Sequence, residues 1–240
     1  MRTQCIAAMR LVMLLALFRP LALGPPTENI MLKLAPFIVL LLTVSLLAAE
    51  KKEPKPVAIF DGKTFKGWEG NLDIFRIEDG AIVGGTLKAP IKHNEFLCTE
   101  KTYGDFELRL KVKLLGGPRA NAGIQFRTKR IPNHHEVIGY QADMGEGWWG
   151  SLYDESRRRK ILAKADAELI KKILKPNEWN DYVIRAEGNL IQLFINGHKT
   201  IEFKEEDENI DKTGVIALQI HGGPASEAWY KDISIVDLSK

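Results

Sequence analysis

Three short stretches of this chain carry amide and ionisable side chains at alternate positions. Gln141 and Asp143 fall on one side of Val137–Asp143, and Gln219 and His221 on one side of Val215–His221. Gln125 and Arg127 share a side of Gly123–Thr128 with Gly123. Such groups can bind hydroxyls or move protons. As neighbours in one sheet, the three stretches would form a polar patch on its open face. Gly123 and Gly139 would let a ligand come close to the backbone there. Nearby is Gly145-Glu-Gly-Trp-Trp-Gly150. The rings of Trp148 and Trp149 in a glycine-rich loop suit the rim of a ligand site better than a core. Ionisable groups (Asp143, His221, Glu136, Arg127) beside aromatics favour an enzyme, because a lectin needs mainly aromatics and amides. Plainer readings exist. His221 can simply close a strand, and Arg127 can pair with Asp143 across two strands. His134-His135-Glu136 invites a metal reading. In a strand, however, adjacent residues point to opposite faces, so at most one of these histidines could share a metal with a remote group. No metal or other cofactor is expected. The run Arg157-Arg-Arg-Lys160 follows Asp154-Glu155 and reads as a solvated or internally neutralised loop.

The elements that must hold these residues are short strands. From Val57 onward apolar residues alternate with polar ones, broken by Gly, Asn, Asp and Pro. The clearest runs are Ile74–Ile77, Ala81–Gly84, Phe106–Leu114, Ala122–Thr128 and Val137–Asp143, then Trp179–Ala186, Leu190–Ile195, Thr200–Phe203, Val215–His221 and Ala228–Val236. Asn196-Gly197 between two apolar runs is a hairpin signal. One segment differs. Asp166 can cap a short helix running to about Leu174, with Pro176 ending it. Trp68, Trp179 and Trp229 read as packing residues. Ten or more antiparallel strands predict an all-β domain, a two-sheet antiparallel sandwich or jelly roll with one short helix.

The chain has 240 residues and a net charge of +3. The leader, residues 1–49, holds four basic groups (Arg2, Arg10, Arg19, Lys33) and one acidic group (Glu28), which leaves thirty of each sign in the body. A neutral body of mixed charge argues against a nucleic acid partner. Met31-Leu-Lys33, the apolar tract Leu34–Ala49 and the polar run from Glu50 make the pattern of a secretory signal peptide, with cleavage expected after Ala49. The tract is short for a membrane span and contains Pro36, so no stable span is expected after cleavage. The simplest account starts translation at Met31, and the alternative is a long leader or an uncleaved anchor. The expected organisation is a leader over 1–49, a linker over 50–56 and one domain over 57–240, in an exported protein, periplasmic or secreted. Cys98 is the only cysteine of the body, so no internal disulfide is available and stability must come from packing.

Several stretches resemble the 3-keto-disaccharide hydrolase domain family. They are Ile59-Phe-Asp-Gly-Lys-Thr-Phe-Lys-Gly-Trp68, Phe75-Arg-Ile-Glu-Asp-Gly-Ala-Ile82, Tyr103-Gly-Asp-Phe-Glu-Leu-Arg-Leu110, Asn121-Ala-Gly-Ile-Gln-Phe-Arg127, Gly139-Tyr-Gln-Ala-Asp143, Gly150-Ser-Leu-Tyr153, Asn177-Glu-Trp-Asn180 and Leu218-Gln-Ile-His-Gly222. The resemblance implies a concanavalin-like jelly roll and a sugar substrate already oxidised at C3. The keto group acidifies the C2–H, a base removes that proton, the glycosidic oxygen leaves, and water adds back. The resemblance also implies that Arg127, Gln141, Asp143, Tyr153, Gln219 and His221 line the sugar pocket. His221 or Asp143 would be the base, Arg127 the enolate stabiliser, and Gln141 and Gln219 the hydroxyl holders. Trp148 and Trp149 would stack on the sugar, and a sugar oxidoreductase would supply the keto substrate. Where the family commonly has an acidic residue, two places before Gln141, this chain has Gly139. The nearest acid in sequence is Glu136. A non-catalytic carbohydrate-binding module on the same sandwich is the alternative reading.

Overall fold

A computed structural model describes residues 55–239. The leader and most of the linker lie outside the described residues. Fifteen strands and one helix follow in order: β1 (Val57–Ala58), β2 (Trp68–Glu69), β3 (Phe75–Glu78), β4 (Ala81–Thr86), β5 (Glu95–Thr99), β6 (Phe106–Gly116), β7 (Asn121–Arg130), β8 (Val137–Gly145), β9 (Leu152–Glu155), β10 (Lys160–Ala163), α1 (Ala167–Ile173), β11 (Asn180–Glu187), β12 (Leu190–Ile195), β13 (His198–Lys204), β14 (Val215–Ile220) and β15 (Ser226–Asp237). One antiparallel sheet runs β13-β12-β11-β6-β15-β4-β3, with β1 on β15, and the other runs β10-β9-β8-β7-β14-β5-β2. The fold is therefore the two-sheet jelly roll expected from the alternation. Residues Asn196 and Gly197 both take positive φ (50° and 81°) and turn β12 into β13, as a two-residue hairpin requires. Asp166 caps α1, its Oδ1 accepting from the Glu168 N–H at 2.9 Å.

Alternation decides what each sheet buries. In β6, Phe106, Leu108, Leu110 and Val112 point inward while Glu107, Arg109 and Lys111 form ion pairs on the wet face. Opposite them, Ile124 and Phe126 of β7, Tyr140, Ala142 and Met144 of β8, and Leu218 and Ile220 of β14 fill the other half of the core. Cutting Phe126 to Ala would cost about 3–5 kcal/mol. Trp68 and Trp229 are buried, and Trp179 packs edge-on against Trp229.

Two buried tyrosines of the first sheet reach through the core to the strands of the second. The Tyr230 hydroxyl lies 2.5 Å from the Gln219 carbonyl oxygen and 3.2 Å from that of Gly123. Tyr182 donates to the Asp143 carbonyl oxygen at 3.3 Å. These bonds fix the backbone of β7, β8 and β14 from behind, where the outer face of the second sheet carries its polar residues.

Candidate functional site

The register of the second sheet brings the polar positions into rows. Gln219 pairs with Gly123, which pairs with Asp143. Gln125 pairs with Gln141, which pairs with Tyr153. In antiparallel pairs, opposed residues point to the same side. The outer face of the sheet is thus the expected polar patch, and over it opens a pocket of about 350 Å³. Gln141, Asp143, Trp148, Tyr153 and His221 line it, all singled out from the sequence. Asn94, Arg119, Asn121, Glu155 and Gly222 line it as well.

Asp143 is almost wholly buried. Burial, reinforced by the charge of Glu155, raises its pKa to about 8 even though the Gln141 amide donates to it. The Gln125 amide donates in turn to the Gln141 carbonyl oxygen, giving a relay Gln125–Gln141–Asp143. Gly123 makes this relay possible, because a Cβ at that position would lie 2.7 Å from Cγ and Cδ of Gln141. Oδ2 of Asp143 has no protein partner. Tyr153 sits at the pocket wall edge-on to Trp148, with ring centroids 6.2 Å apart. Burial and the nearby carboxylates raise its pKa. His221 follows the last residue of β14 and is exposed. Its Nδ1 is 2.6 Å from the Gly222 carbonyl oxygen, an acceptor only, so Nδ1 donates there.

Glu155 was not anticipated. It stands on β9 directly across from Gly139. Gly139 has no space for a side chain, since a Cβ would meet the backbone and side chain of Thr128 at 2.7 Å. The neighbouring strand thus sets a carboxyl opposite this glycine. Burial first, then the charge of Glu136, raise the Glu155 pKa to about 7. Glu136 stands behind the pocket wall and accepts from the side chain of Asn94 at 3.0 Å. Asn94 in turn accepts from the Gly222 N–H at 2.9 Å.

Besides Glu136, four expected residues stand outside the pocket lining. Arg127 does not face the pocket and does not pair with Asp143. It has φ of 45° at a register shift between β7 and its neighbours, which ends the simple alternation. Its buried guanidinium bonds the carbonyls of Gly104 (3.0 Å) and Gly188 (2.7 Å) and the Asp105 carboxylate (2.9 Å). Arg119, in the turn before β7, is the arginine at the pocket. Gln125 and Gln219 share the polar face but are completely buried and do not line the pocket. Trp149 packs against the core, and only Trp148 is at the rim.

The histidines also depart from expectation. Residues 132–135 form a turn, not a strand, so His134 and His135 stack at 4.5 Å, and His135 stacks on His93 at 4.1 Å. No group of three or more His, Cys, Asp or Glu residues among the described residues is placed to hold a metal. Arg157 and Arg158 close onto Asp154, and Arg158 also onto Glu205, so the first two arginines of this run are paired internally.

Residues 55–236 match the model of the 3-keto-alpha-glucoside-1,2-lyase-like domain. The chain belongs to this family. No curated protein matches it. Among solved structures, a Parabacteroides distasonis ATCC 8503 protein assigned as a glycosyl hydrolase is 20% identical, covering 77% of this chain and 94% of that one with a TM-score of 0.58. Carbohydrate-binding module CBM66 from Bacillus subtilis is 13% identical over 71% of this chain and 96% of its own, at 0.55. The beta-glucanase of Bacillus licheniformis is 9% identical over 79% and 100%, at 0.52. At these identities the likeness is one of fold. Among the described residues no helix is long and apolar enough to cross a membrane.

Proposed function

We propose that this protein cleaves 3-keto-glycosides, removing the C2 proton, expelling the aglycone from C1 and returning water to give net hydrolysis. The observation that carries this reading is a buried carboxyl, its pKa raised to about 8, at the wall of a polar pocket in a 3-keto-alpha-glucoside-1,2-lyase-like domain. A protonated Asp143 can give its proton to a departing glycosidic oxygen, as a raised carboxyl does in other glycosidic cleavages. Arg119 takes the task first given to Arg127, stabilising the enolate oxygen at C3. Gln141, Asn121 and Tyr153 bind hydroxyls, and Trp148 offers its ring to a sugar face. With the leader pattern, the reading places the enzyme outside the cytoplasm, after a sugar oxidoreductase that makes the ketone.

The test compares a 3-keto-glucoside with the unoxidised glucoside and follows aglycone release with and without a chelator. Release from the keto form alone supports the reading. Calorimetric binding of plain sugars with no release from either would instead favour the carbohydrate-binding module.

A further inference from the structure

The pocket has two candidate bases from the sequence, Asp143 and His221, and a third carboxyl that the structure adds. We propose that Glu155 is the base that removes the C2 proton, with Asp143 as its acid partner. This assignment rests on the 3-keto-glycoside reading above.

Position is the first argument. Tyr153 and Glu155 are alternate residues of β9 and project onto the outer face that carries Gln141 and Asp143. Gln141 is opposite Tyr153, and Gly139 is opposite Glu155. Gly139 sets no side chain of its own against Glu155, and the Glu155 carboxyl lines the same pocket as Asp143. Engagement is the second argument. Asp154, the neighbour of Glu155, is fully buried and paired with Arg157 and Arg158. Glu155 has no such cation pair; its recorded hydrogen bond is from the Ser156 backbone N–H, at 3.2 Å. It therefore has lone pairs to offer a substrate. His221 is a weaker candidate, being exposed at the rim and tied through Nδ1 to Gly222.

Charge supports the division of labour. The groups around Glu155 are Asp143 on β8, Glu136 in the turn before β8, Tyr153 and Asp154 on its own strand, and Arg159 in the turn that follows. Arg119 and His221 line the same pocket. Burial and the carboxylates outweigh Arg159 and raise Glu155 to about 7, while burial raises Asp143 to about 8. Two carboxyls raised into the neutral range in one pocket suit the roles of a paired acid and base.

The step balances within the site. The C2–H bond breaks, Glu155 takes the proton, and the electron pair passes into the enolate at C3. The enolate collapses, the C1–O bond breaks, and the leaving oxygen takes the proton of Asp143. Water then adds to C1 of the enone and returns a proton to Asp143, while C2 recovers its proton from Glu155. No oxidant or reductant is consumed.

The test is Glu155→Gln, which keeps the shape and removes the base. Wild-type protein in deuterated buffer should wash deuterium into C2 of a 3-keto-glucoside, read by NMR, and release the aglycone. Glu155→Gln should lose at least a hundredfold in both exchange rate and kcat, at unchanged KM and with no fall in melting temperature. Glu155→Asp should keep partial activity and a rising pH limb. If the wild type turns over and Glu155→Gln exchanges at the same rate with the same pH profile, the assignment is overturned and the 3-keto reading stands. If the wild type neither exchanges nor releases, both fall together.

Discussion

Replacing Asp143 with Asn should make the protein more stable as it makes it inactive. The carboxyl is almost completely buried, receives one amide N–H and has one oxygen without a partner. Its pKa rises from 3.8 in an ordinary setting to about 8 in the fold. Because the folded value is the higher one, the folded state binds the extra proton. The stabilising effect of the proton is complete below pH 4 and is lost as pH rises toward 8. Each unit in that window is worth about 1.4 kcal/mol, so the burden at pH 7 reaches about 4 kcal/mol. Asn keeps the acceptor for Gln141 and carries no charge. In a domain of this size 1 kcal/mol moves Tm by about 2–4 °C, so Asp143→Asn should melt on the order of 10 °C higher at pH 7. Differential scanning calorimetry of both proteins from pH 4 to 9 makes the comparison. The gap should open with pH and close near pH 4. A variant that melts at or below the wild type at pH 7, or a gap constant across the range, would refute the claim that Asp143 is held protonated by the fold.

The rate of 3-keto-glycoside cleavage should follow a bell, rising as Glu155 ionises near pH 7 and falling as Asp143 loses its proton near pH 8; a profile flat from pH 5 to 9 in steady-state kcat/KM would contradict this. Arg127→Leu should destabilise by about 2–3 kcal/mol in urea titrations while leaving KM alone. It strands a partly exposed Asp105 and two carbonyls far from the pocket. Trp148→Ala should raise KM or sugar Kd about tenfold at unchanged Tm, while Trp149→Ala should lower Tm, as a ring packed on the core must.

How much of this was legible in the sequence depended on how local the signal was. The β12–β13 hairpin was visible because Asn196-Gly197 is a turn requirement within a few residues, and the capped helix because Asp166 acts on its own first turn. Gln141, Asp143 and Tyr153 reach one pocket because period-two alternation holds through β8 and β9. Arg127 was misplaced because the same alternation was extended through residue 127, where the backbone turns to positive φ and the register slips. No residue type in that stretch announces the bulge. Gln125 and Gln219 were assigned to the right face, but alternation does not reveal what covers a face, and both are completely buried. Strand β5 is a continuous buried run with no alternation to read, and β9 is short and half acidic. Glu155 was out of view for that reason. Its importance comes from standing across from Gly139, and pairing between strands is a non-local fact.

The amide relay also has a stereochemical consequence. Gln125 donates to the carbonyl oxygen of Gln141, so Gln141 is committed to presenting N–H, not C=O, to Asp143. Oδ1 of Asp143 must therefore accept, whether or not the group is ionised. The acidic hydrogen has one address, the second oxygen, which no protein group contacts. A buried amide on the neighbouring strand thus decides which of two otherwise equivalent oxygens bears the proton.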